Sequence, residues 1–431
     1  MQKIEGQSVN AQGHLEIGGV DTVSLAQEYG TPLVVLDEEL VRHRMRTYLQ
    51  TCRDHQITSE LVYASKAFLT TGFCQIVDDV GLHLDVASGG ELYTALAGGF
   101  PADRIVMHGN NKSWDELDMA VRNGVGRIVV DNFLEISELE RVCKKAKRSV
   151  GVVVRVSPGI DPDTHELVST GQVDTKFGFD IASGAALEAV NALLGVSKFE
   201  LLGAHCQVGS QMMDLSAHGP AIEQMVDFLA AVRDKFGIHL PELNIGGGLG
   251  IAYTPDENPP SVEEFCAQVY STFRAAIARA GLTEPALWQE PGRYLVAEAG
   301  TTLYRLGSRK EIPGCRTYVS VDGGMSDNIR PCLYGSRYSA VVANKADQPN
   351  EREFAIAGKH CETDVLIREI SLPEIETGDL LAVQCTGAYT FSMASNYNRM
   401  PRPAVVAIRG GVPRLLVRRE DYKDLLQFDV Y

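Results

Sequence analysis

Short apolar runs recur over the first two thirds of the chain, and stretches with helical periodicity fill most of the gaps between them. The runs are Leu33-Val34-Val35-Leu36, Leu61-Val62-Tyr63-Ala64, Leu84-Asp85-Val86-Ala87, Ile105-Val106-Met107, Ile128-Val129-Val130, Val152-Val153-Val154-Arg155-Val156, Leu201-Leu202-Gly203-Ala204, Leu243-Asn244-Ile245 and Ala286-Leu287-Trp288. Runs this short and this apolar read as strands buried on both faces, as in a parallel sheet. Amphipathic patterns lie between them, for example at residues 89–98 and 215–236. Eight or nine such units over residues 33–290 predict a (β/α)8 barrel. Many of the strands end on a polar residue: Lys66, Asp85, His108, Asp131, Arg155, His205, Asn244 and Glu290. In a barrel, that C-terminal face carries the chemistry.

The texture changes after Glu290. Residues 294–297, 317–321, 353–357, 380–383 and 404–408 read as strands with turns between them and few helices. Residues 1–32 read as a strand, a loop and a short helix, and are expected to join that second region. The expected organisation is therefore a barrel over 33–290 and a mostly β, sandwich- or barrel-like domain made of 1–32 plus 291–431.

Composition narrows the function. The 431 residues are 45% hydrophobic, enough for a sizeable core. The formal charge, 40 − 56 = −16, argues against nucleic acid or an anionic membrane as a partner. The nine cysteines show neither a CxxC pair nor a Cys/His metal spacing. Reduced thiols in the cytoplasm and no metal are the expectation. The N-terminal residues show no apolar signal segment. No apolar run approaches the ~20 residues of a membrane span.

Three features suggest pyridoxal phosphate (PLP). Lys66 follows a strand in Tyr63-Ala64-Ser65-Lys66, where burial at a barrel mouth would ease loss of its proton. Gly246-Gly247-Gly248-Leu249-Gly250 follows another strand, and its backbone N–H groups suit a phosphate; the same turn is also an ordinary tight βα connection. Glu290, before Pro291-Gly292-Arg293, suits the pyridine nitrogen; an ion pair with Arg293 is the competing use. Ser210 offers a further phosphate donor, and His205 ends a strand on the same face. In the second region, Arg330 suits a carboxylate and Glu362 an ammonium, though each alone is more often a surface ion-pair member.

On its motifs the chain resembles the fold-type III PLP decarboxylases, whose barrel is alanine-racemase-like. The motifs are YASKAF (63–68), LDVASGGEL (84–92), HGNNKS (108–113), STGQVDTKFGFD (169–180), GGGLG (246–250), EPGR (290–293), VDGGMSDNIRPCLYG (321–335), CETD (361–364) and GAYTFSMASNYNRMPRP (387–403). The resemblance implies Lys66 as the Schiff-base lysine, with Asp85 and Arg155 near the cofactor ring and His205 stacked on it. It implies that Ser210, Gly246, Gly247, Gly248, Glu290, Pro291, Gly292, Arg293 and Tyr389 hold the cofactor. Arg293, Arg330, Tyr334, Glu362 and Tyr389 would meet the substrate, and Cys361 would return a proton to Cα. In this family the thiol and its neighbour reach the partner subunit's site, so a head-to-tail homodimer is implied.

The implied activity is that of the branch converting meso-2,6-diaminopimelate to L-lysine and CO2 in lysine biosynthesis. Racemisation needs two opposed bases, and no second tyrosine motif appears. Ornithine-using relatives carry an acid after the residue matching Tyr334, where this chain has Gly335. Alternatives are a decarboxylase of another carboxylated amine, such as carboxynorspermidine or a carrier-tethered glutamyl group, or a non-catalytic PLP-binding regulator. Two motifs depart from the family. Gln207 stands where a histidine is frequent, and Cys361-Glu362-Thr363-Asp364 lacks a glycine, so its loop is expected to be set differently.

Overall fold

The computed structural model describes residues 3–160 and 174–430. The first five residues of the STGQVDTKFGFD motif, 169–173, lie outside them.

Eight parallel strands close into a barrel: β1 (Ser59–Ala64), β2 (His83–Val86), β3 (Ile105–Met107), β4 (Arg127–Val130), β5 (Val150–Ser157), β6 (Phe199–His205), β7 (Glu242–Asn244) and β8 (Ala286–Gln289). Each pairs in parallel with the next, and β8 returns to β1 through Leu287↔Ser59 and Gln289↔Leu61. Inward-facing Val62, Val106, Val129, Val153 and Trp288 fill the interior. Near the strands' N-terminal ends, the Arg127 guanidinium lies 4.0 Å from the centroid of the Trp288 ring and is held by Glu242 at 2.6 and 2.9 Å. An apolar, plugged interior leaves the polar residues to the opposite ends of the strands.

The helices between strands begin and end on local signals. Ser113 and Ser261 close capping boxes with Glu116 and Glu264, and Gly124 and Gly281 stop the same helices in left-handed conformations. The stops at Gly124 and Gly281 leave short connections into β4 and β8.

The second unit is mostly β. Its sheet runs in the order Val365–Leu372, Arg352–Ala357, Arg316–Val321, Gly300–Ile312, Leu33–Asp37, Ala404–Arg409 and Val412–Val417. Leu33–Asp37, expected as the first barrel strand, lies here. It pairs antiparallel with Gly300–Leu303 and parallel with Ala404–Ile408. All five of its residues are buried. A central strand in either sheet carries such a run, so the apolar pattern could not assign it.

The N-terminal hairpin and helix Thr22–Tyr29 share a core with this sheet, through Leu15, Ile17 and Leu25 against Val35, Leu303 and Val406. By compactness one unit is Met1–Arg44, Ile251–Asn258 and Tyr294–Tyr431, and the barrel unit is Met45–Gly250 and Pro259–Arg293. Among the described residues, no helix is long and apolar enough to cross a membrane.

Candidate active site

The barrel's polar strand ends converge on Glu290, the residue after β8. Its Oε1 accepts from Asn244 Nδ2 at 2.8 Å and faces His108 Nε2 at 2.9 Å; its Oε2 faces His205 Nε2 at 3.1 Å. His108 follows β3, and His205 and Asn244 end β6 and β7, so barrel closure brings the four together. All four are buried. Burial alone would raise the Glu290 carboxyl, but the two imidazoles hold it well below the usual carboxylate range. Burial pushes His205 down to about 4 against the pull of Glu290, so the ring is a neutral donor at pH 7. The result is an ionised carboxylate held by nitrogen donors, able to keep a facing heterocyclic nitrogen protonated. His108, His205 and Glu290 also offer ligand atoms within 4.8 Å of one another, but their separations are those of hydrogen bonds.

Lys66 sits on the 3-10 turn Ser65–Ala67, directly after β1. It is exposed in the single chain, where burial was expected. Its charged neighbour is Asp85, a buried carboxyl whose Oδ1 accepts from Ser65 N–H at 3.0 Å. Burial pushes Asp85 up to about 7, opposed by His108 and Lys66 and reinforced by Glu290. Arg155 on β5 places Nε 3.7 Å from Asp131 Oδ1, and its guanidinium lies 4.2 Å from the centroid of the Phe177 ring. Burial lowers its pKa, and Asp131 opposes that.

The glycine-rich turn after β7 is a cradle with no room for side chains. A Cβ at Gly247 would lie 2.3 Å from the Glu290 carbonyl, and one at Gly248 would lie 2.2 Å from Met212 Cε. Gly248 has φ +127°, which other residues rarely adopt. Beyond it, Arg293 Nη2 donates to Ser210 Oγ at 2.9 Å. Gly246 and Gly247 do not present their N–H groups as expected. They donate to Asn244 Oδ1 and Gln207 Oε1, each at 2.9 Å, so a phosphate donor from this turn falls at Gly248 or beyond. Gln207, the departure from the family pattern, thus braces the turn. Gly292 lets the backbone pass 2.8 Å from Ala64 Cβ, measured from the Cβ it lacks, beside the Lys66 turn. A carboxylate held by nitrogen donors, a lysine at a strand end and a close-backbone turn with serine and arginine fit the nitrogen, aldehyde and phosphate of PLP.

The β unit holds the other expected residues. Arg330 is buried, with Nε donating to Tyr338 OH at 2.9 Å and Nη2 to Ser336 Oγ at 3.2 Å. Its guanidinium lies 5.3, 5.6 and 5.9 Å from the ring centroids of Tyr334, Tyr253 and Tyr389. Among the described residues it has no carboxylate partner. Nearby Asp327 instead accepts from Tyr304 OH at 2.8 Å and Gly324 N–H at 2.7 Å. Cys361 and Glu362 are exposed. Cys361 N–H donates to Asn398 Oδ1 at 3.1 Å, and Glu362 Oε1 accepts from Tyr397 OH at 2.6 Å. The loop closes without the missing glycine, through Asp364 N–H to the Glu362 carbonyl at 2.8 Å.

The sequence reading named His108 and Asn244 only as polar strand ends; both grip Glu290. It did not single out Tyr253 and Tyr338 around Arg330, nor Tyr397 and Asn398 beside the Cys361 loop. The strand-end pattern was the available signal for the first pair.

Comparison with known proteins fits this geometry. The family model for the pyridoxal binding domain of pyridoxal-dependent decarboxylases matches residues 38–297. The diaminopimelate decarboxylase of Bacillus subtilis is 48% identical over 422 residues, 98% of this chain and 96% of that protein. The enzyme of the same name from Halalkalibacterium halodurans is 46% identical over 423 residues, 98% of this chain and 96% of its own. Among solved structures, diaminopimelate decarboxylase from M. jannaschii in complex with L-lysine superposes with a TM-score of 0.92 at 32% identity, covering 100% of this chain and 99% of that one.

Proposed function

The chain belongs to the pyridoxal-dependent decarboxylases, and from that premise we propose that it converts meso-2,6-diaminopimelate to L-lysine and CO2, the closing step of lysine biosynthesis. Arg330 carries the choice of substrate. A buried guanidinium without a carboxylate partner is costly unless a ligand supplies one. Diaminopimelate has a second carboxylate at the end remote from the reaction; lysine and ornithine do not.

The cofactor is PLP, which when bound draws electrons from the bond broken at Cα. The chain's own residues do the rest. Lys66 anchors the aldehyde carbon. Glu290, oriented by His108, His205 and Asn244, holds a proton on the ring nitrogen. Asp85 and Arg155 flank Lys66 and the ring. Ser210, Gly248, Arg293 and Tyr389 bind the phosphate. Arg330, Tyr334 and Glu362 bind the remote carboxylate and ammonium, and Cys361 delivers a proton to Cα. The barrel unit supplies most of the cofactor's ligands, and the β unit adds Tyr389 to them and reads the substrate.

The protein works as a homodimer in which Cys361 serves the partner subunit's site. It resides in the cytoplasm, a reading supported by nine scattered cysteines with neither a CxxC pair nor a disulfide-scaffold spacing.

Incubating the PLP-loaded protein with meso-diaminopimelate, L-lysine and L-ornithine in parallel tests this reading. Stoichiometric lysine and CO2 from the first, and little turnover of the others, is the expected result. Preference for ornithine would overturn the substrate while leaving the family intact.

A further inference from the structure

The loop bearing Cys361 and Glu362 is exposed yet held on two sides. On one side His360 Nδ1 pairs with Asp364 Oδ2 at 2.6 Å, and Asp364 Oδ1 accepts from Met325 N–H at 2.9 Å. On the other side both contacts come from one short turn. Asn398 Oδ1 accepts the Cys361 N–H at 3.1 Å, and Tyr397 OH donates to Glu362 Oε1 at 2.6 Å.

That turn is itself strained and tied down. Asn398 and Arg399 have φ of +52° and +55°, and successive left-handed residues other than glycine need outside support. Arg399 supplies it, donating Nη1 to the Leu425 carbonyl at 2.6 Å and Nη2 to Asp429 at 2.9 Å. The turn lies in the 387–403 motif, of which the function assigned above uses only Tyr389.

We propose that Asn398 and Tyr397 are positioning residues for this reaction, one for the thiol and one for the carboxylate. The bond from Cys361 N–H to Asn398 restrains the backbone from which the thiol projects. The Tyr397 hydroxyl occupies one oxygen of Glu362 and orients the other toward an ammonium. The inference deepens the roles proposed above for Cys361 and Glu362, and rests on them for its kinetic consequences only.

Two variants of the PLP-loaded enzyme separate the roles. Asn398→Gly keeps a residue suited to the left-handed backbone but removes the acceptor. Tyr397→Phe removes only a hydroxyl. Hydrogen exchange, followed by mass spectrometry of the peptide containing Cys361, should quicken roughly three- to tenfold in Asn398→Gly, the size expected for one hydrogen bond. With meso-diaminopimelate, Asn398→Gly should lower kcat with KM held, Tyr397→Phe should raise KM with kcat held, and Asn398→Asp, which keeps an acceptor, should restore most of kcat. Unchanged exchange in Asn398→Gly, or parallel loss of kcat and KM in both variants, overturns the proposal. Faster exchange with unaltered kinetics would leave the clamp standing and overturn instead the roles given to Cys361 and Glu362.

Discussion

The barrel and the β unit hold their functional groups in different ways. In the barrel, Glu290, His108, His205 and Asn244 are buried at strand ends and bond to one another. His108, His205 and Asn244 all bond to Glu290, and the parallel sheet fixes their spacing. In the β unit, Arg330 is buried among tyrosines with no carboxylate partner among the described residues, and Cys361 and Glu362 stand exposed on a loop. The first arrangement is complete in itself. The second contains a cation and a thiol whose proposed partners are a substrate and another subunit. Barrel lesions should therefore strike cofactor binding, and β-unit lesions, Tyr389 apart, should strike substrate handling with the cofactor in place.

The largest expected effect tests the barrel half. Lys66→Ala should lose covalent attachment of PLP and lower kcat/KM by at least about a thousandfold. Borohydride reduction and peptide mapping check it: the label should sit on Lys66 in the wild type and vanish in the variant. A label of equal yield in Lys66→Ala would remove the lysine from its role.

The matching test in the β unit is Arg330→Ala. Truncating one partner of a buried charge pair costs about 2–5 kcal/mol, much of it from leaving the other charge unpaired. That is roughly a 30- to 4,000-fold fall in kcat/KM for meso-diaminopimelate. PLP content and its absorbance should stay as in the wild type. Loss of the cofactor in Arg330→Ala would break the comparison, because a residue assigned to the substrate would then be supporting the barrel's ligand.

These two residues also show what could be read from the chain alone. Eight of the nine apolar runs form the barrel, because strands buried on both faces leave a continuous signature. Leu33–Asp37 misled for the same reason, since a central strand of the β unit is equally buried. Glu290 and Arg330 were legible by residue type within a recognised motif. What escaped were pairings. Gly246 and Gly247 give their N–H groups to Asn244 and Gln207, which no spacing rule announces. The bonds from Asn398 to Cys361 and from Tyr397 to Glu362 span 37 and 35 residues, beyond any local pattern. The exposure of Lys66, on a 3-10 turn after the strand, was not revealed by residue type.

Acid should separate the two units next. His218, buried in the barrel unit beside the glycine turn, is pushed down to about 4, chiefly by burial and against the Gly247 backbone and Asp214. The unfolded chain takes up that proton near its ordinary 6.5 and the folded chain only near 4. The stabilising contribution is full above the higher value and disappears as pH falls through the window. It is worth about 3 kcal/mol. In the β unit, buried Asp327 works the other way. Burial pushes it up to about 7, so its contribution is largest in acid and is lost as pH rises from its ordinary 3.8 to the folded value. Urea unfolding at several pH values should show His218→Leu losing less stability than the wild type between neutral pH and the lower end of the window. An unchanged slope would mean that another group sets the acid limb.

The smallest expected effect is the most discriminating, because it asks whether the two halves of the comparison act within one chain. Lys66→Ala damages only the barrel's role, and Cys361→Ala only that of the β-unit loop. If Cys361 serves the partner subunit's site, each homodimer is nearly inactive but a mixed dimer has one intact site. One of its two sites joins the good lysine of one chain to the good thiol of the other; the second collects both lesions. Random exchange makes about half of the dimers mixed, and half of their sites are whole, so activity should recover to about a quarter of wild type. If both residues served the same chain's site, every site in every dimer would carry one lesion, and mixing would restore nothing. Subunit exchange, checked by native mass spectrometry of differently tagged chains, must be complete before activity is read. Full exchange without recovery would place lysine and thiol in one chain's site. Recovery would require the barrel of one subunit to work with the β-unit loop of the other, and would make the homodimer the smallest complete enzyme.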